Sequence, residues 1–383
     1  MACFFIGKSK RYRYGFIRSN GVYLNCTGNP VFDAVCAEYN CIQGLGENAV
    51  RFPELLESIR GGCNEVHLPY LDCRLFPGNE LAGQTAPSGL IFKKFTANFV
   101  DLKLAGLRLD GYLARLTPGT RYQIRRSLRL YEQQGEVRIE AASDVDTAIE
   151  YFDQLVKLNL QNWRRRKLES AFESDFFVHF HKRLIKKNFH KSEIQLLKIW
   201  RKEGPIGYLY GFVWGGRVYG YQCAFNYESD KRLKPGMVCH VKAIILNAQL
   251  GHSAYDFLAG PERYKVSLAT HQNEMITVIC KKPSLTYWIE KKIMPRIKAA
   301  LERKSAVSHR VPQAGARPKA EATDKTVYIQ GRLDRPDRKG PGTKVRIRAP
   351  EPAQSMTMAG VSEVHSADGE SLPLSRERAS AVS

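Results

Sequence analysis

Between Ile194 and Leu258 the chain runs through three apolar strand patterns, a basic glycine loop, a helical pattern and a fourth strand, and that order leaves few folds open. Ile194 to Trp200, Ile206 to Trp214 and Arg217 to Phe225 read as strands. Lys202-Glu203-Gly204-Pro205 and Gly215-Gly216 join them as tight turns, so the three form an antiparallel meander. Asp230 to Gly236 is polar and basic; Met237, Val241, Ile244, Ile245 and Ala248 then recur at helical spacing, and Gly251 stands where a helix C-terminus favours it. Tyr255-Asp256-Phe257-Leu258 is the next strand, and a helical crossover of this length lets it lie parallel to the third strand of the meander. The prediction is an α/β fold, of the α+β kind with a mixed sheet.

That order sets a helix N-terminus beside the open ends of two strands. Backbone N–H groups without helical partners and the helix dipole favour an anion there. Lys234 adds charge, and Gly236 lets a phosphate approach the backbone, so a pyrophosphate is the natural occupant. Pro-Gly before a helix is also a common turn; its place after the meander and before a parallel strand gives it weight.

Elsewhere the patterns are weaker. Asn20-Gly21, between Phe16-Ile17 and Val22-Tyr23-Leu24, predicts a hairpin turn. Asp33 to Ile42 and Ala49 to Ile59 have helical spacing, Glu65 to Leu68 reads as a strand, and Phe76 to Gly89 as loop. Helices are predicted from Arg121 to Gln134, from Val145 to Trp163 with Ser143 or Asp144 as cap, and from Asp175 to Lys187, with a strand from Val137 to Glu140. A last helix, Leu285 to Arg303, is kinked or broken by Pro295. The expected organisation is an N-terminal α/β subdomain over residues 1–110, a main domain over 111–304, and a tail from 305 whose Ala, Pro, Ser and charged residues predict disorder.

Composition narrows the partners. The 383 residues carry a formal net charge of +21, which calls for nucleic acid, an acidic membrane surface or a phosphate-rich cofactor, or else is a solvated basic surface. The densest basic runs are Arg121, Arg125, Arg126 and Arg129, and Arg164 to Lys167. The nine cysteines include no Cys-x-x-Cys pair, and Cys36 and Cys41 stand too isolated for a metal site, so reduced thiols are expected. The His179-x-His181 pair lacks evident partner ligands, His181 reads as a core histidine, and no metal is expected. No run approaches the roughly 20 apolar residues that span a bilayer, and no secretory signal is evident. The expected compartment is therefore the cytoplasm, with docking on an anionic membrane left open. Nucleic-acid binding is a weaker alternative, because no zinc-finger, homeodomain or RRM signature is present.

From about Leu113 to Lys265 the chain resembles the CelD/BcsL-like acetyltransferases, a branch of the GNAT superfamily related to the Fem-type aminoacyltransferases. The blocks that carry the resemblance are Arg121-Tyr-Gln-Ile-Arg-Arg-Ser-Leu-Arg129, Trp163 to Arg166, Phe177 to His181, Lys234-Pro235-Gly236, and Tyr255 to Gly260 with Tyr264-Lys265. Leu24-Asn25 and Glu38-Tyr39-Asn40 belong to the same likeness. The resemblance implies a GNAT-like fold with a degenerate first half before it, acetyl-CoA or another acyl-CoA as co-substrate, and an amine acceptor of undefined identity. It also implies a link to cellulose or exopolysaccharide machinery, with aminoacyl-tRNA-dependent transfer as the alternative. The Gln-x-x-Gly-x-Gly signature common among GNAT enzymes is absent, and Lys234-Pro235-Gly236 stands in its place.

The expected reaction is attack of a neutral amine on an acyl thioester. Ala224 or Phe225 is expected to offer a backbone N–H to the carbonyl, and Lys234, Pro235, Gly236, Met237 and Val238 to cradle the diphosphate. Tyr264 is the candidate acid for the leaving thiolate. Asp256 or Glu262 is the candidate acceptor of the amine proton, and Lys265 contacts a phosphate or fixes Tyr264.

Overall fold

The computed structural model describes residues 5–14, 16–35, 38–40, 63–73, 90–103, 108–260, 262–297 and 299. In chain order the strands are β1 (Ile6–Arg13), β2 (Ile17–Leu24), β3 (Glu65–Asp72) and β4 (Leu90–Asp101). Helices α1 (Leu109–Ala114) and α2 (Pro118–Glu132), strand β5 (Arg138–Ala141), and helices α3 (Val145–Arg165) and α4 (Asp175–Asn188) follow. Then come β6 (Ile194–Arg201), β7 (Gly204–Trp214), β8 (Arg217–Phe225), α5 (Pro235–Gln249), β9 (Ala254–Ala259), α6 (Arg263–Leu268), β10 (His271–Lys281) and α7 (Leu285–Trp288).

All ten strands join one mixed sheet in the order β1-β2-β3-β10-β4-β9-β8-β7-β6-β5. The meander β6–β7–β8 is antiparallel, as its tight turns require, and Gly215 and Gly216 both take the positive φ of a two-residue hairpin turn (55° and 71°). β8 and β9 are parallel, but only from Arg217↔Ala254 to Tyr219↔Asp256. Past Tyr219, β8 runs on to Phe225 beside β7 alone, so β8 and β9 separate.

Helices cover both faces of the meander. On one face α1, α2 and α5 bury Tyr112, Ile124, Tyr131, Val238, Val241 and Ile244 against Leu197, Leu209 and Phe257. On the other, α3 and α4 bury Phe152, Leu155, Phe177 and Ile185 against Leu196, Tyr208 and Tyr210. A smaller core joins β2, β3 and β10 through Leu24, Leu68 and Val278. Side-chain caps start the outer helices: Thr117 accepts from Thr120 N on α2, Asp144 from Thr147 N on α3, and Ser174 from Phe177 N on α4.

Several sequence expectations need correction. Asn20-Gly21 lies inside β2; the β1–β2 reversal falls at Tyr14 to Phe16, with Tyr14 at φ 53°. A Cβ on Gly21 would press on the Tyr23 ring, so this glycine serves close packing and not a turn. Of the helix expected over Asp33–Ile42, the described part forms a single 3-10 turn, Asp33–Val35, while Cys36, Cys41 and Ile42 lie outside the described residues. The helix expected at Ala49–Ile59, the loop at Phe76–Gly89 and the tail from 305 also lie outside them. β4 and β10 were not among the expected strands, although Ile276-Thr277-Val278-Ile279 is a β-branched run, and they pair with each other from Leu90↔Cys280 to Phe99↔His271. The last helix widens to a π-turn at Ile289–Ile293, just before Pro295, whose ring and missing N–H cannot continue a regular turn. Among the described residues, no helix is long and apolar enough to cross a membrane.

Candidate active site

The point where β8 and β9 part is set by a buried ion pair. Asp256 is fully buried and accepts from Arg217 Nη2 at 2.7 Å and Nε at 2.9 Å, reaching from β9 to the start of β8. Tyr39 donates to the same carboxylate at 2.6 Å, and the Leu258 amide donates to it at 2.7 Å. That last bond accompanies a φ of 62° at Leu258, within the register slip of β9 against β4, beyond which Ala259 pairs with Ala97 of β4 while β8 no longer pairs with β9. Asp256, expected as an acceptor of the amine proton, is thus buried with partners on both carboxylate oxygens, a position that suits a clamp between β8 and β9.

On the far side of the gap β8 presents backbone. Asn226 N donates to Ile206 O, so Ala224 beside it is turned to β7 in the ladder, while Phe225 and Cys223 turn their amides toward the space β9 has left. Of the two expected contacts, the Phe225 amide faces the gap and the Ala224 amide faces β7. Asn162 of α3 donates to the Phe225 carbonyl at 2.8 Å and holds this end of β8 in place.

α5 begins against Phe225: a Cβ on Gly236 would stand 3.1 Å from that ring. Its first turn carries no side-chain cap and no acidic residue. Lys234 is the N-cap residue and donates its own amide to Ser127 Oγ of α2 at 2.9 Å. Pro235 has no N–H, and Val238 N is committed to Lys234 O at 3.1 Å, so Val238 does not belong to the cradle. Gly236 and Met237, both partly exposed, keep amides outside the helical ladder. Across from this end, α2 presents Arg121, Tyr122, Arg125, Arg126 and Arg129 along an open depression. Arg126 lies close enough to the loop before α5 to lower the pKa of Asp230, though the bonds Asp230 accepts from Arg232 weigh more.

The other wall of the gap is α6 and the segment before it. Tyr264 stacks on His240 of α5 with centroids 5.0 Å apart and lines the same cavity as Cys223. Burial, with the neighbouring Cys223 and Glu262, raises the Tyr264 phenol well above its ordinary pKa, so it stays protonated. Burial also holds the Cys223 thiol up at about 11, which makes it a thiol at neutral pH. His240 donates or accepts at Tyr255 OH, 3.1 Å away, and burial together with the Lys265 charge lowers it to about 3, so its ring is neutral. A cavity of about 40 Å³ lies at this junction, with Gln222, Cys223, His240, Tyr255, Tyr264 and Lys265 among its lining residues.

Lys265 is buried and donates to Ala259 O at 2.7 Å; Glu38 accepts from Ala259 N at 2.6 Å. The backbone N–H and C=O of one residue of β9 are therefore held by a carboxyl group and a cation. Glu262, half-exposed, pairs with Lys265 at 3.2 Å. Burial raises the Glu38 pKa to about 7; the Ala259 amide and Lys265 pull against that rise, and Asp256 and Glu262 add to it. Gly260 fits here because a Cβ at its φ of 157° would meet the ends of Glu262 and Lys265.

The structure so brings together Phe225, Gly236, Met237, Tyr264, Lys265 and Glu262 around one gap. Glu38, Cys223, His240 and Arg217 were not assigned roles from the sequence. Glu38 stood in a block that carried the family resemblance, but nothing local marks it as shifted, because the shift comes from burial against β9, more than two hundred residues away. His181 is buried with Nδ1 3.2 Å from Tyr210 OH, as a core histidine should be, and His179 faces solvent. Among the described residues no group of three or more His, Cys, Asp or Glu stands close enough to hold a metal ion.

Comparison with known proteins agrees with this geometry. Residues 118–266 match the family model described as "Acetyltransferase (GNAT) domain", a region that spans α2 to α6 and contains the whole gap except Glu38 and Tyr39. The fold class is mixed α/β with the GNAT-like arrangement of meander, crossover helix and diverging parallel strand. Among curated proteins none matches this sequence. Solved structures with a similar backbone include a conserved protein of unknown function from Bacteroides thetaiotaomicron VPI-5482, with 10% identity, coverage of 73% of this chain and 83% of that one, and a TM-score of 0.47. FemX has 12% identity, coverage of 70% and 88%, and a TM-score of 0.43. L-PGS from Bacillus licheniformis has 10% identity, coverage of 74% and 87%, and a TM-score of 0.40.

Proposed function

We propose that the protein is an acyl-CoA-dependent N-acyltransferase whose chemistry takes place where β8 and β9 part. The observation that carries this reading is the uncapped, acid-free start of α5, seated against the last residue of β8 within a family-matched GNAT region. The Gly236 and Met237 amides and the helix dipole take the diphosphate, with Lys234 beside them. The thioester then lies along the gap, its carbonyl facing the Phe225 amide, which stabilises the oxyanion as it forms.

Glu38 is the general base of this reading. Its pKa near 7 leaves a carboxylate able to accept the amine proton at neutral pH while keeping enough basicity to do so. The amine nitrogen bonds to the carbonyl carbon, Glu38 takes the proton, and collapse of the tetrahedral intermediate breaks the C–S bond. Tyr264, which lines the cavity at this junction, protonates the departing sulfur. Glu262 and Lys265 act by fixing Ala259 and the charge beside Glu38.

A thermal-shift series tests the reading against aminoacyl-tRNA-dependent transfer. Acetyl-CoA or a longer acyl-CoA at about 100 times its Kd stabilises the fold by about 2.7 kcal/mol, visible as a rise in Tm. A rise with aminoacyl-tRNA and none with any acyl-CoA would replace the proposal by its rival. The acceptor is an amine, and a role in cellulose or exopolysaccharide synthesis, in the cytoplasm, is part of the same proposal, resting on the family likeness alone.

A further inference from the structure

At the β1 edge of the sheet the protein exposes a group of large apolar side chains that the active-site reading leaves unused. The β1–β2 hairpin presents Tyr12, Tyr14 and Phe16, which are 65%, 53% and 64% exposed. The helix that begins with α7 presents Leu285, Trp288 and Ile297, at 72%, 52% and 44%. Arg13 joins the two elements: its Nε lies 2.9 Å from Glu290 and its Nη1 2.7 Å from Glu65. Isolated exposed apolar residues are ordinary, but six on two elements joined by an ion pair call for a partner.

The surrounding charge says which partner. Lys8, Lys10 and Arg18 are exposed on the hairpin, and Lys282, Lys291, Lys292 and Arg296 on the helical segment. Residues 5–18 contain no acid, and residues 282–297 contain one, Glu290, which Arg13 and Lys281 neutralise at 2.9 and 2.8 Å. We infer that this hairpin tip and C-terminal helix form a docking surface for an anionic lipid bilayer, Tyr, Phe and Trp entering the headgroup layer while lysines and arginines pair with lipid phosphates. Aromatic rings with flanking cations suit that boundary. The aliphatic Leu285 and Ile297 distinguish it from a nucleic-acid platform, which stacks bases on aromatic faces. The inference stands independently of acyl transfer, since it invokes none of the residues around the gap.

The test uses the full chain without CoA, co-sedimented with phosphatidylcholine vesicles with and without phosphatidylglycerol. Binding to the anionic vesicles alone, weakened by salt, is expected. The variant carrying Phe16→Ser and Trp288→Ser should bind at least about tenfold more weakly with an unchanged melting temperature. Lys291→Glu with Lys292→Glu, which leaves the apolar residues in place, should weaken binding as well and keeps the test open if the first variant misfolds. Indifference to phosphatidylglycerol, or full binding by both variants, overturns the inference. So does capture of a single-stranded RNA oligonucleotide at the same ionic strength without vesicle binding.

Discussion

Glu38 and Asp256 are both carboxyl groups beside the same strand, and their surroundings divide the labour. Asp256 is enclosed by Arg217, Tyr39 and the Leu258 amide, and its bonds to Arg217 tie β8 to β9. Glu38 receives one amide and has Lys265 nearby, and burial dominates its pKa. Replacing Glu38 with Gln should lower kcat/KM by about a hundredfold or more, the usual contribution of a positioned base. It should also remove a limb of the pH profile that rises through about 7 in the unaltered enzyme. The same shift acts on stability: folded Glu38 keeps its proton to a higher pH than the unfolded chain does. Stability therefore falls as the pH rises from the ordinary carboxylate range to about 7, and thermal melting of Glu38→Gln should lack that slope. Tyr264→Phe should cut turnover at least about tenfold with acyl-CoA affinity little changed; unchanged turnover in a single-turnover assay would remove it from the mechanism. Asp256→Asn leaves Arg217 without its buried partner and should cost about 3–5 kcal/mol in denaturant melts.

At the scale of the element, what could be read from the chain is what local chemistry determines. The glycine turns of the meander, the cap at Asp144 and the apolar spacing of α5 each act within a few residues, and the structure has them where the sequence puts them, whereas α2 starts at Pro118, behind a Thr117 cap, and not at the expected Arg121. β4 and β10 are completed by each other far along the chain, so that their pairing could not be read locally even where Ile276-Thr277-Val278-Ile279 favours a strand. Asn20-Gly21 misled because a dipeptide able to turn need not do so when β1 and β3 pair with it on either side. The helix start at Pro235 was legible as a position, but which of its amides are free for the proposed cradle depends on hydrogen bonds: Val238 N is spent inside the helix and Lys234 N on Ser127. Ala224 and Phe225 could be told apart only once the register of β8 against β7 was known.

For the molecule as a whole, the proposed chemistry and the proposed attachment fall at different places on a single sheet. The gap between β8 and β9 lies inside the sheet order, with Arg217–Asp256 at its closed end and the start of α5 at its open end. The apolar hairpin lies at the β1 edge, six strands from β8 in that order. The central claim is that the amides at the start of α5 hold the diphosphate of an acyl-CoA. Isothermal calorimetry with CoA and with pantetheine, which shares the thiol arm and lacks the diphosphate, tests it most directly, with Gly236→Glu as the control. The account predicts binding of CoA, loss of most of that affinity for pantetheine, and a comparable loss for Gly236→Glu, whose side chain places bulk and negative charge against Phe225. Equal affinities for CoA and pantetheine, or undiminished CoA binding by Gly236→Glu, would contradict it.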